Sequence, residues 1–316
     1  MMRKWDHFLA IDWSGAKGER HKGIALALAD ATGGPPVLVE APPRGWSRTQ
    51  VMQLLREDLP VNTLVGVDLG ISLPFNDCGA FFPGWDESPR NAKKLWELID
   101  RICADDPHLG AHSFVTHPQA SRYFRHGRTG KNAAGSPAQP VGEGDRFHLP
   151  QAPSREGRLR EAEIGQRRQK CRPVSNFNLV GAAQVGKSSL TGMRMLHQLQ
   201  GELPVWPMDP VPARRIKQGG SMLVEIYTGL ASREAASLAG DTRNRTKLLT
   251  YADLNAALAA LGSAPVDKVG EIDDHSSDAL LSAAWLRKVA PEEKRWEPRC
   301  LTAHIAWTEG WTFGAF

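Results

Sequence analysis

The chain has 316 residues, enough for two domains or one elaborated domain, and its 41% hydrophobic content provides for an ordinary buried core. A formal net charge of +4 and an isoelectric point near 8.9 are compatible with a polyanionic partner without demanding one. Four cysteines (Cys78, Cys103, Cys171, Cys300) without a CxxC pair argue against a zinc ribbon or disulfide framework, and no apolar run is long enough to cross a bilayer, so a cytoplasmic protein without a membrane partner is expected.

In chain order, residues 7–12, 22–30 and 36–41 read as three consecutive strands, separated by Gly-containing polar sequence and by Gly33-Gly34-Pro35-Pro36. Ser47 suits a helix N-cap, residues 48–58 carry helical spacing through Val51, Leu54 and Leu55, and 63–69 return to an apolar strand. Between residues 75 and 220 Pro and Gly become frequent and 127–158 is polar, with helices predicted at 91–104 and 189–200. Residues 221–227 read as a strand, 250–261 and 276–289 as helices, and the alternation in 303–307 as a terminal strand. The aromatic C-terminus (Trp296, Trp307, Trp311, Phe313, Phe316) is expected to pack in the core or against a sheet edge, with stacking on bases as the alternative.

Chemistry concentrates in three acidic segments. Asp12 in FLAIDWSG and Asp68 in TLVGVDLG end apolar runs; His275 and Asp278 in DHSSDALL share a face of the helix they open. A strand-end carboxylate is held firmly while its oxygens stay free, which suits hard cations such as Mg2+ or Mn2+. Each Asp also has a plainer reading as a turn or capping residue. Glu225, inside an apolar strand, requires a partner if buried; its plainer reading is an ion pair to an arginine. Basic residues collect in 155–172, 213–217 and 243–247, and Lys187, Arg167 and Arg168 are candidate nucleic-acid contacts, with a solvated basic surface as the alternative. Arg155, Arg158 and Arg172 belong to the same set, and His117-Pro118 and Arg160–Glu163 are candidates to border the cleft.

The segment from Gly181 to Ser188 satisfies the P-loop pattern GxxxxGK[ST], but the residues before it make a poor buried strand and no later strand ends in aspartate. It is expected instead to be a Gly-rich turn opening a helix beside the cleft.

HSSDALLSAAW resembles the HxxDA signature of the last helix of RuvC-type Holliday junction resolvases. More of the chain (AIDWSGAKG, VGVDLGISLPF, GAAQVGKSSLTGMRML, WPMDP, VEIYTGLA, HSSDAL and EGWTFG) resembles domain-of-unknown-function family 429, a family of predicted RNase H-like nucleases. Thr228 departs from that pattern, which leads one to expect Pro. The resemblance implies an RNase H-like α/β fold, a mixed sheet flanked by helices with a large insertion between the fourth and fifth strands. Residues 1–74 and 221–316 would form the core and 75–220 the insertion or cap. It implies a metal-dependent nuclease acting on DNA or RNA, with Asp12, Asp68 and Asp278 as metal ligands aided by Glu225 and His275, and less directly Glu309. An inactive interaction module and an actin- or sugar-kinase-like ATPase using Asp12–Lys17 and Asp68–Gly70 are the competing expectations.

Overall fold

The computed structural model describes residues 4–127, 144–148, 157–181, 184–209, 220–240 and 247–316. The chain opens with β1 (His7–Asp12), β2 (Ala25–Asp30) and a short β3 (Val37–Leu38), paired antiparallel in that order. Ser47 starts α1 (Arg48–Gln53) through a reciprocal capping box with Gln50, and the helix runs on as a π-helical turn, Leu54–Asp58. β4 (Thr63–Asp68) returns parallel to β1. Then come α2 (Ala92–Ile102), α3 (His112–Thr116), α4 (Glu161–Arg168), α5 (Val185–Gln198), β5 (Val205–Trp206) and β6 (Met222–Ile226). α6 (Thr228–Leu238), α7 (Tyr251–Ala260), α8 (Asp274–Val289), α9 (Glu293–Trp296) and α10 (Ala303–Thr308) complete the elements.

The strands form one mixed sheet in the order β3-β2-β1-β4-β6-β5, and helices flank it. Both faces of β1 are buried, so side-chain alternation assigns its residues to two layers. Leu9 and Ile11 join Val65, Val67, Leu95, Trp96 and Met193 in one apolar cluster; Phe8 and Ala10 join Leu64, Val224, Leu280 and Trp285 in the other. The described part of residues 75–220 thus supplies much of one helical layer of the core, beside Val51, Met52 and Leu55, because its aromatics (Phe81, Phe82, Trp96, Phe114, Phe177) are buried together with strand side chains.

Helix α8 lies across β1 and β2, on a face made of Ala10, Ala25, Ala27 and Ala29. Small side chains there let the helix approach closely, and Gly66 extends the stripe onto β4: a Cβ on it would stand 2.6 Å from Leu286 Cδ1 and 2.8 Å from Ile226 Cγ2. That approach brings the N-terminus of α8 beside the C-terminal ends of β1 and β4.

Two expectations are corrected. Residues 303–307 are helical, not a strand: the Thr302 hydroxyl caps the Ile305 amide, and the apparent alternation arises from one buried Ile305 on a short helix whose Trp307 is 54% exposed. The sheet-edge contact expected of the terminus is made further on, by a single bridge between Thr312 and Glu225, with Trp296, Trp311 and Phe313 buried around it. β5 leaves no legible pattern because it is two residues long. All four cysteines are free, and among the described residues no helix is long and apolar enough to cross a membrane.

Because the Gly66 position has no room for a methyl group, Gly66→Ala is expected to lower stability by about 1–3 kcal/mol through overpacking between β4 and α8. A urea titration checks this, with Val269→Ser, at a position 93% exposed, as an unaffected control.

Candidate active site

Asp12 and Asp68 are the last residues of β1 and β4 and stand directly opposite one another in their parallel pairing. The loop after Asp12 is locked from three sides. Trp13 Nε1 donates to Thr191 Oγ1 on α5 at 3.0 Å, and the Arg48 guanidinium donates to the carbonyls of Ser14 and Ala16. Gly15 rests on the backbone of α5, where a Cβ would lie 2.3 Å from the Ser188 amide nitrogen. The loop after Asp68 is held by the Gly70 amide donating to Ser189 Oγ at 3.2 Å.

From the other side, Asp273 caps α8 by accepting from the Ser276 amide at 2.9 Å. His275 Nδ1 lies 2.6 Å from Asp12 Oδ2, and because an ionised carboxylate only accepts, Nδ1 carries the hydrogen. Its Nε2 edge passes over Gly23, where even a methyl group would sit 3.3 Å from the ring. Asp278, one turn further, has no hydrogen-bond or ion-pair partner among the described residues. Asp12, Asp68, His275 and Asp278 line one cleft of ≈ 520 Å³ together with Gln184, Val185 and Ser188 of the α5 entrance.

The electrostatics follow from this crowding. Burial pushes Asp278 up to about 8, and the charges of Asp12 and Asp68 push the same way. Burial and then Asp12 push Asp68 up to about 7, against the Thr228 hydroxyl that donates to its Oδ2 at 2.5 Å. Asp12 is also raised by burial, although its bond to His275 opposes the rise; that bond raises His275 in turn. Three carboxylates from distant parts of the chain therefore share a pocket with one histidine.

Glu225 also lines this cleft, but it reaches it from another face of the sheet. It pairs in register with Val67, one residue before Asp68, so strand alternation turns it to the opposite face of the sheet from Asp12 and Asp68. There it is 3% exposed, ion-paired to Arg160 and accepting from Thr312 Oγ1 and the Ile71 amide. The arginine ion pair is what the structure supports for it. Arg160 spends its guanidinium on Glu225, Glu163 and the Glu309 carbonyl. Glu309 is fully buried and accepts from the Phe75, Asn76 and Glu161 amides, tying loops together.

Arg160 and Glu163 do border the cleft, whereas His117 stacks on Trp85 at 5.1 Å. Arg158 is not a phosphate contact: it is 1% exposed, bound to Asp77 and to the carbonyls of Pro74, Ala80 and Phe81. On α4 the cleft is faced by Glu163 and Gln166, and Arg167 and Arg168 are not among its lining residues. Arg155, residues 213–217 and 243–246 lie outside the described residues; Lys247 pairs with Asp274.

The P-loop pattern does not form a phosphate cradle among its described residues. The Gly186 amide donates to the Asn178 carbonyl at 2.9 Å and Lys187 Nζ to Gln184 Oε1 at 2.7 Å. Burial, and then the nearby Lys17 charge, lowers the pKa of Lys187, which adjoins the cleft-lining Ser188 as Lys17 adjoins Ala16. Sequence reasoning missed Arg48 and Thr228. Nothing local marks Arg48, whose carbonyl partners are distant in sequence, and the partner of Thr228, Asp68, lies on another strand.

As the side chains stand, no group of three or more His, Cys, Asp or Glu among the described residues is arranged to hold a metal ion. No protein-family model, curated protein or solved structure matches the chain.

A carboxylate raised from its ordinary 3.8 to about 8 binds a proton in the folded state that the unfolded state releases, so it costs progressively more stability as pH climbs through that window. Asp278→Asn removes the cost. We expect the metal-free variant to be stabilised by on the order of 1–2 kcal/mol at pH 8 and by less at pH 5, allowing for solvent screening of a partly exposed group. Equal stability changes at both pH values in paired melts would contradict it.

Proposed function

We propose that this chain is a divalent-metal-dependent nuclease that hydrolyses phosphodiester bonds in DNA or RNA. The observation that carries the reading is the meeting of Asp12, Asp68 and Asp278 in one cleft, two of them without a basic side chain bonded to them. All-oxygen donors in a shared pocket have the chemistry of a Mg2+ or Mn2+ site, and their mutual repulsion is what a cation would relieve. The donor set therefore fits such an ion, with side-chain adjustment needed to close around it.

Asp12, Asp68 and Asp278 would hold the ion. When bound, it supplies a water of lowered pKa and a counter-charge for the leaving oxygen. His275, anchored through Nδ1 to Asp12, keeps Nε2 available to accept or return a proton at the cleft. Lys17 and Lys187 adjoin the cleft-lining Ala16 and Ser188 in sequence, and a polyanion there would screen their mutual repulsion. Glu225 acts indirectly, by fixing Arg160.

An RNase H-like fold belongs to the same proposal, with 1–74 and 221–316 as its core and 75–220 as an elaboration. The antiparallel β1–β3 run followed by parallel β4 supports it. The resemblance to domain-of-unknown-function family 429 rests on motif order alone. A second reading, a catalytically inactive interaction module, is favoured by the absence of a ready-made metal group among the described residues.

The test is cleavage of labelled single-stranded, duplex and branched DNA and RNA with Mg2+ or Mn2+. Asp12→Asn and Asp278→Asn are each expected to lower cleavage by about 100-fold or more, leaving nucleic-acid binding in chelator intact, and the double variant should be little worse than either single. Full binding without metal-dependent cleavage of any substrate would instead select the interaction module.

A further inference from the structure

Each strand-end carboxylate in the cleft is gripped by a side chain from a different helix. For Asp12 the holder is His275 of α8. For Asp68 it is Thr228, the first residue of α6, whose Oγ1 donates to Asp68 Oδ2 at 2.5 Å. The N-cap residue of α6, Tyr227, offers no side-chain cap, so the carboxylate of Asp68, reaching over from β4, occupies the position at the helix N-terminus that a capping residue would fill.

We propose that Thr228 is a positioning residue: it fixes the rotation of the Asp68 carboxylate, with Oδ2 committed to α6, in the orientation presented to the cleft. Three facts carry the inference. Thr228 is 7% exposed, so its hydroxyl is not free to exchange partners with bulk water. The Thr228 backbone amide also bonds the Asp68 carboxylate, so two donors of one residue act on its rotation. The residue type also matters, because Val would fill the same volume without a side-chain donor and Pro would bring neither a hydroxyl nor an amide hydrogen. A carboxylate free to rotate would present either oxygen, or both, to a bound ion; one already bonded on one side meets it in a set orientation.

The proposal rests on reading the cleft as a metal site, and the experiment separates the two. Mn2+ is titrated calorimetrically into the full chain, without nucleic acid, for wild type, Thr228→Val and Thr228→Ser, and each protein's melting temperature is measured in chelator. We expect Thr228→Val to bind Mn2+ about tenfold more weakly. Thr228→Ser, which keeps the hydroxyl, should stay close to wild type, and nucleic-acid binding in chelator should be unchanged in all three. Thr228→Val binding Mn2+ as tightly as wild type would overturn the proposal, leaving the contact as a helix cap only. So would equal weakening of both variants in step with a lowered melting temperature. If Thr228→Val does not fold, the decision passes to Thr228→Ser and to Asp68→Asn, which must lose Mn2+ affinity while Thr228→Ser keeps it; any other result overturns the proposal. A wild type that binds no Mn2+ removes the metal reading of the cleft, and the role of Thr228 falls with it.

Discussion

The closeness of α8 to the sheet is the constraint on which the cleft depends. A helix can lie near a β-surface only where that surface carries small side chains, and Ala10, Ala25, Ala27, Ala29 and Gly66 provide such a stripe. Larger residues would push α8 outward, and His275 and Asp278 would move away from the strand ends with it. The hydrogen bond between His275 and Asp12 is therefore a consequence of alanines that carry no chemistry. Gly23 repeats the logic at the rim, since its missing side chain makes room for the His275 ring.

A second organising feature is the division of labour among charges. Arginines are used inside the protein to satisfy irregular backbone, a task that suits a planar group with five donors. Arg48 ties the Asp12 loop to the His108 carbonyl, Arg158 gathers residues 74–81, and Arg194 joins Asp100 to the Asp106 and Gly110 carbonyls. Arg160 sits beneath the cleft, neutralised by Glu163 and Glu225. Carboxylates in the cleft are treated in the opposite way: Asp68 and Asp278 are crowded by burial and like charge and receive no guanidinium. Among the described residues, Asp68 and Asp278 thus differ from Glu163 and Glu225, which share the Arg160 guanidinium.

The sequence by itself determined β1, β4 and β6 to within a residue at either end, most of the helical span of α8 and the N-cap at Ser47, because each depends on neighbours within a few residues. It also marked Asp12, Asp68, His275 and Asp278, since acidic residues at the ends of apolar runs stand out without any knowledge of the fold. What it left undecided needed contacts across the chain. The face taken by Glu225 depends on its register against β4, and one residue of register exchanges the two faces. Whether Arg158 and Arg160 bind phosphate or backbone depends on which loops close over them, and the grip of Thr228 on Asp68 joins residues 160 positions apart. The helix at 303–308 was set by a hydroxyl cap and by the partner Ile305 buries against, overriding a local alternation. Local patterns record which residues can form a strand or carry a charge; only tertiary packing decides which of those charges are left unpaired.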